Sequence, residues 1–217
     1  MNIVWHGHSL FQITTNPQKN SAVKIVIDPY DKSIGLRVPR LEADILLVTH
    51  QHYDHNNIKA VSGNPFLIES PGEYDIKNVF IEGITNFHDK EQGSKRGENI
   101  IYVIESENIR ICHLGDFGQK ELTEQQLEKI GDVDILMIPV GGTYTISAQE
   151  AAKIMSQLEP RITIPMHYGL PNLKIKLEPI SKFLKAFGLK SLPSLKKLSI
   201  KKKDILSDEA KIIILEK

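Results

Sequence analysis

The hexapeptide His50-Gln51-His52-Tyr53-Asp54-His55 constrains this chain more than any other feature. It places three imidazoles and a carboxylate directly after the apolar run Ile45 to Thr49. That run does not alternate apolar with polar, so it reads as a strand buried on both faces. Such a strand must end in or beside the core. Four polar groups gathered there are costly to bury without a cation. With one, they become nitrogen and oxygen ligands suited to zinc, or to manganese and iron. If the backbone stays extended, His50, His52 and Asp54 project to one side. His55 joins them only if the chain turns, and Asn56-Asn57 is a turn signal.

Four ligands are too few for two metal sites, which directs attention to His or Asp at other strand ends. His88 follows the strand-like stretch Val79 to Ile84, with Gly93 and Gly97 beyond it. Asp116 follows Ile109 to Leu114 after Gly115, and His167 follows Ile162 to Pro165. Each stands at the C-terminal end of an apolar run, as His50 does. Cysteine plays no part, because Cys112 is the single one. It excludes an intrachain disulfide and a cysteine metal cluster, and it reads as a small core residue.

The order of elements predicts sheets covered by helices in one domain spanning residues 1–217. Ile3 to Trp5, Leu10 to Thr14, Val23 to Ile27, Phe66 to Ile68 and Ile100 to Ile104 read as further strands of a strand-rich first half. Asn16 to Asn20 reads as a polar loop. The second half alternates. Thr123 with Gln126, and Ser147 with Glu150, are capping boxes that start helices, and Gly131 and Pro160 mark their ends. Ile135 to Ile138 is a strand between them. Pro179 and Gly188 bracket a third helix, and Ile212 to Leu215 is a final strand. At this length roughly 70% of the unfolded surface can be buried, so no covalent staple is needed.

With these residues in place, the chain resembles the metallo-β-lactamase-fold hydrolase superfamily. His50-x-His52-x-Asp54-His55 is similar to its H-x-H-x-D-H signature, and Asp28, His88, Gly115-Asp116 and His167 match its other motifs in order. Trp5-His6-Gly7-His8-Ser9, Ile138-Pro139-Val140-Gly141-Gly142 and Ile164-Pro165-Met166-His167-Tyr168 look like the small single-domain branch related to L-ascorbate-6-phosphate lactonase. The resemblance covers about residues 1–170. It implies an α/β fold, a four-layer αββα sandwich. It also implies a binuclear centre, with His50, His52 and His88 on one zinc ion, Asp54, His55 and His167 on the other, and Asp116 bridging them. A hydroxide shared by the ions would attack a carbonyl or phosphoryl centre, with Asp54 as the catalytic proton carrier. Two divalent ions, two carboxylates and a hydroxide leave a charge of about +1, which favours a small anionic ester, lactone or phosphodiester. A metal-dependent nuclease is the alternative, and a non-hydrolytic iron protein a further one. The histidine at position 55, which hydrolytic members keep, argues against the iron protein.

Composition narrows the partners. Lys plus Arg and Asp plus Glu are both 27, so net charge is zero and a globally basic nucleic-acid binder is excluded. The balance is uneven, however. Residues 171–203 hold ten lysines against one acid, Glu178, a local charge of +9. This reads first as a solvated face and second as a basic rim for an anion. No signal-peptide pattern or membrane-length apolar run is present, so a cytoplasmic protein is expected, with a homo-oligomer left open. His6 and His8 read first as hydrogen-bonded turn histidines and second as residues that support a metal ligand or touch substrate, and His113 reads as a core histidine. Asp28 is expected to orient a ligand rather than to be one. Tyr168 is open to a packing or a substrate role. Gly141-Gly142 marks a plain turn or a close backbone approach.

Overall fold

A computed structural model describes residues 1–18, 21–205 and 209–217 of the protein. Its fold rests on two sheets. In the first, Asn2–Trp5, Phe11–Gln18 and Ser21–Ile27 form an antiparallel meander, flanked by Leu198–Ser199. Ile45–Leu47 and Phe66–Ile68 extend it in parallel beyond Ser21–Ile27. In the second, Ile109–His113, Ile135–Pro139, Ile162–Met166 and Lys211–Ile212 run parallel. Glu98–Ser106, Val79–Phe87 and Gly72–Ile76 complete it as antiparallel neighbours.

Alternation decides how the first sheet packs. Phe11, Ile13, Ile25, Ile27, Ile45 and Leu47 join the large core shared with the second sheet. Leu10, Val26 and Leu46 face the other way and meet Tyr30, Ile34, Leu36 and Leu41 of the segment after Ile27. Ile45–Leu47 is therefore buried on both faces, which accounts for its unbroken apolar run. The outer cover on this side is a 3-10 turn, Lys32–Ile34, with its loops. Polar contacts also cross between the sheets. Tyr102 donates to the carbonyls of Val48 and Ile68, at 2.9 and 3.0 Å, and the Thr15 and Ser106 hydroxyls lie 2.7 Å apart.

The second sheet carries the longer helices. Both capping boxes form: Thr123 caps Glu124–Ile130 and Ser147 caps Ala148–Leu158. The second of these helices buries Ala148, Ala151, Ile154 and Leu158, which share one face at helical spacing. Pro179 precedes the helix Ile180–Ala186, which buries Phe183 and Leu184.

The structure revises several of the expected elements. The strand Phe11–Gln18 continues through residues expected to loop, because Thr15 stays buried and bonds to Ser106 and Glu107. Lys19 and Asn20, the end of that expected loop, lie outside the described residues. The final strand divides at Ile213: Lys211–Ile212 joins the second sheet, and Ile214–Leu215 pairs with Ser194–Leu195 instead. Gly72–Ile76 is a strand that sequence patterning did not expose, since as a half-exposed edge it is largely polar.

Strand direction then positions the site. Ser21–Ile27 and Ile45–Leu47 are parallel, so Asp28 and the segment from Thr49 leave the same edge. Val79–Phe87 lies two antiparallel steps from Ile109–His113 and so points the same way as it. His88, Asp116, Val140 and His167 therefore all leave one edge of the second sheet.

Candidate metal centre

Beyond Leu47 the chain does not stay extended. A turn forms in which the His55 and Asn56 amides donate to the His52 carbonyl, at 2.9 and 3.1 Å. His50, His52 and Asp54 therefore do not share a side by strand alternation. The turn divides them, and His50, His52 and His88 offer donor atoms to one cluster. Asp54 and His55 offer theirs to a second cluster with His167 and His8, while His50 and His55 also meet Asp116. All seven residues expected at the centre are brought together.

Asp116 lies at the middle. Its Oδ2 is 3.3 Å from His55 Nε2, 3.2 Å from His88 Nε2 and 3.3 Å from His167 Nε2. Two donors bound to one zinc ion at its usual nitrogen distance stand about 3.3 Å apart in tetrahedral geometry. Several buried polar atoms of the cluster lack a hydrogen-bond partner, among them His50 Nε2, His55 Nε2, His167 Nδ1 and Asp116 Oδ1. Orphaned buried donors and acceptors are rare, and a cation would satisfy those facing the centre. The donor set and its spacing thus fit divalent metal.

Asp28 fixes the orientation of two of these rings. Its Oδ1 accepts from the Thr49 amide, and its Oδ2 from the Thr49 hydroxyl and from His55 Nδ1, at 2.8, 2.8 and 2.9 Å. With its proton on Nδ1, a neutral His55 would leave the Nε2 lone pair available to a cation beside Asp116. The Thr49 hydroxyl, spent on Asp28, accepts from His50 Nδ1 at 3.0 Å, which leaves His50 Nε2 free as well.

Charge at the centre is set by crowding. Burial would raise the Asp116 carboxyl, but the imidazoles of His167 and His55 hold it well below the usual carboxylate range. Burial would lower His55, yet Asp116 and Asp28 bring it well above the ordinary imidazole value. His50 is lowered by burial and by His55. For Asp54, the hydrogen bond from His8 and the charge of His55 overcome burial and hold its carboxyl low.

For His8 the structure favours the second of its two readings and places it beside a candidate ligand at the centre. Its Nε2 stands 3.1 Å from Asp54 Oδ2, and its ring lies 4.2 Å from that of His167. Burial, then His167, lowers its pKa to about 4. The reason is the turn itself: the His8 carbonyl accepts from Trp5 Nε1 and the His167 amide, both at 3.0 Å. His8, Asp28 and His167 all take left-handed backbone, with φ of 55°, 50° and 53°. Such conformations cost about 1–3 kcal/mol each and persist where surroundings enforce them.

The other expectations divide cleanly. His113 is satisfied in the core, with Nε2 3.2 Å from the Ser9 carbonyl and Nδ1 accepting from the Gly115 amide. Cys112 is fully buried. Tyr168 packs on Trp5, ring centres 5.0 Å apart. Gly141 makes the close backbone approach: a Cβ there would sit 2.0 Å from the His167 carbonyl oxygen. Gly118 does the same for His88, with 2.3 Å to its carbonyl carbon.

The cluster opens to one side in a cavity of about 460 Å³ whose floor includes Asp54, His88, Asp116 and His167. Tyr53, Arg96, Tyr144, Lys174 and Lys176 stand around it.

Comparison with known proteins agrees with this geometry. The β-lactamase superfamily domain family matches residues 2–167. The chain belongs to that family. A UPF0173 protein of Pyrococcus furiosus is 32% identical over 194 residues, covering 78% of this chain and 84% of the relative. A UPF0173 metal-dependent hydrolase of Thermoplasma volcanium is 31% identical, covering 83% and 88%. Among solved structures, a Thermotoga maritima protein assigned to the Zn-dependent hydrolases of the metallo-β-lactamase superfamily superposes with a TM-score of 0.80. It is 36% identical, over 99% of this chain and 98% of that one.

In this superfamily member, sequence reasoning missed four contributors and ranked the role of His8 second. Asn99 accepts the Asp116 amide at 2.9 Å and donates to the Leu114 carbonyl. Gly118, Arg96 and Tyr144 lie in loops without a motif. His8 alone had a visible signal, the Gly7-His8 pair in an N-terminal turn, but no spacing rule ties it to Asp54. Among the described residues, no helix is long and apolar enough to cross a membrane.

Proposed function

We propose that the protein is a binuclear metal-dependent hydrolase acting on a small anionic ester, lactone or phosphodiester. In this reading His50, His52 and His88 hold one ion and Asp54, His55 and His167 the other, with Asp116 shared. Zinc suits the mixed imidazole and carboxylate set, and manganese or iron could replace it. The observation that carries the reading is Asp116 Oδ2 standing 3.2–3.3 Å from three imidazole nitrogens drawn from three segments. Bound there, divalent ions supply a water acidified toward a pKa of about 7 and a Lewis acid for the scissile group.

The chain's own residues divide the remaining work. Asp54 lines the cavity and is placed to take a proton and pass it to the leaving group. His8 Nε2, 3.1 Å from Asp54 Oδ2, holds that carboxylate in place. Asp28 keeps the His55 proton on Nδ1. The ions outweigh the charge of Asp54 and Asp116, which supports an anionic substrate.

Elemental analysis after metal reconstitution, combined with a panel of lactones, phosphodiesters and phosphoesters, tests the proposal. About two transition-metal ions per chain are expected, with turnover lost on chelation and restored on reloading. A stoichiometry that stays near zero overturns it.

A further inference from the structure

The loop after His88 and the stretch around Lys174 come from distant parts of the chain and meet at the mouth of the cavity. They bring three cations there. Arg96 arrives on the turn between His88 and Glu98, and Lys174 and Lys176 on the segment between His167 and the helix Ile180–Ala186. Of the ten lysines of the basic stretch, these two line the cavity. None of the three cations forms an ion pair among the described residues. Other surface lysines do, as Lys182 with Glu178 and Lys202 with Asp134. The carboxylates on the cavity wall are Asp54 and Asp116, and in the proposed centre both are committed to metal.

The segments that carry Arg96 and Lys174 are also held in place. Asp89 accepts backbone N–H groups from Glu91, Gly93, Lys95 and Arg96 at 2.8–3.0 Å, which fixes the turn that carries Arg96. The Arg96 guanidinium then lies 5.4 Å over the Tyr144 ring. On the other side, the Lys174 amide donates to the Ile34 carbonyl at 2.7 Å. Exposed Tyr53 and Tyr144 line the same cavity and supply flat apolar faces beside the cations and the metal ligands.

We infer that Arg96, Lys174 and Lys176 form an anion clamp that selects substrates carrying a phosphate or carboxylate group remote from the scissile bond, with an apolar or aromatic body lying along Tyr53 and Tyr144. The inference rests on the hydrolase reading for what happens at the floor of the cavity, but the clamp needs no metal to bind an anion. A charged group at the mouth would be met by charge-assisted hydrogen bonds from two or three donors. Partial exposure reduces what each contributes, and salt screens it.

Two measurements test the clamp. In the first, metal-stripped protein is titrated with phenyl phosphate, with benzoate and with neutral benzyl alcohol by calorimetry, at low and high KCl. Phenyl phosphate or benzoate, or both, should bind more tightly than benzyl alcohol. The K174A/K176A double variant should weaken that binding at least about fivefold, the effect expected for losing two partly exposed charge contacts, whereas K190A, in the same basic stretch but away from the cavity, should not. The relative affinity of the two anions separates phosphate from carboxylate selection. In the second, reconstituted enzyme is compared on 4-nitrophenyl hydrogen succinate and 4-nitrophenyl acetate. The ratio of kcat/KM between them should fall about tenfold in R96Q and in the double variant, through KM on the anionic ester, and recover in K174R/K176R. Unchanged anion affinity in the double variant, or K190A acting equally, overturns the clamp. If wild type hydrolyses neither ester and no member of the lactone, phosphodiester and phosphoester panel while the first measurement succeeds, the hydrolase reading fails and the anion site stands.

Discussion

Replacing Gly141 by alanine should damage the centre from a residue that donates nothing to it. The added Cβ would lie 2.0 Å from the His167 carbonyl oxygen and 3.2 Å from Leu177 Cβ. Real Cβ contacts with backbone oxygen do not fall below about 3 Å, so one of the two chains must move by about 1 Å. The His167 oxygen belongs to the backbone and Leu177 Cβ is fixed to it, so neither can yield by a rotamer change. Overpacking of a close-packed interior costs about 1–3 kcal/mol, and a backbone clash belongs at the upper end. For a chain of this size about 3 kcal/mol corresponds to a fall in Tm of roughly 6–12 °C. The movement falls on His167, whose left-handed backbone leaves little freedom, so metal affinity should drop with stability. Gly188→Ala separates sterics from conformation: its φ is 71°, but a Cβ there meets nothing within 4 Å. It should cost about 1 kcal/mol and leave metal binding unchanged. Thermal melting and competitive chelator titration of both variants measure the two effects. If Gly141→Ala melted within 2 °C of wild type, or held metal as tightly, the close approach would not be what seats His167.

Removing the candidate ligand His88 and the core histidine His113 should have opposite signatures. His88→Ala should lower metal content with little change in the melting of metal-free protein. His113→Ala should keep metal but lose about 2–4 kcal/mol of stability, because it leaves a cavity and the Gly115 amide unpartnered. Metal loss confined to His113→Ala would reverse the assignment. Asp54→Asn keeps the shape of the side chain but cannot take a proton, so turnover should vanish while at least one ion remains bound; a kcat within threefold of wild type would remove Asp54 from the proton path. Glu107 accepts from the Thr15 hydroxyl, the Asn16 amide and the Met1 ammonium. Although burial would raise its carboxyl, the bonds from Asn16 and Thr15 lower it below the ordinary 4.5. Its stabilising effect is therefore full above that value and is lost as pH falls through the lower folded value. Glu107→Gln should be less stable than wild type by about 1 kcal/mol at pH 7, with the gap closing in acid urea titrations.

The seven expected donors were legible because four of them crowd into the hexapeptide after one apolar run and the other three follow apolar runs of their own, and runs such as Ile45 to Leu47 or Ile162 to Met166 are buried strands whose ends the topology gathers. Both capping boxes were equally readable, since a cap depends on residues three positions apart. What escaped depends on contacts far apart in sequence. His8 reaches Asp54 across 46 residues, and Gly118 meets His88 only after two strands have returned to the same edge. Arg96 and Lys174 carry no pattern beyond their charge, and only the folded cavity picks two lysines from a run of ten. The split of the last strand was hidden for another reason. Ile212, Ile213, Ile214 and Leu215 are uniformly apolar, and nothing in such a run says which of two sheets each residue will join.

His55 touches Asp28, at the end of a first-sheet strand, through one ring nitrogen, and faces Asp116, from the second sheet, through the other. Every donor before residue 60 hangs from one layer of the sandwich, and every donor after residue 80 from the other. Metal affinity is consequently a ruler for the seating of one layer on the other. A substitution in the shared core far from the cavity, such as Phe11→Leu, that shifted the layers by a few tenths of an ångström would register as a change in chelator competition before it registered in spectroscopy of secondary structure. By linkage, saturating the centre would clasp the layers together, adding about 4 kcal/mol at a thousandfold excess over Kd. Such a protein would unfold more readily in a metal-poor medium without any change in sequence.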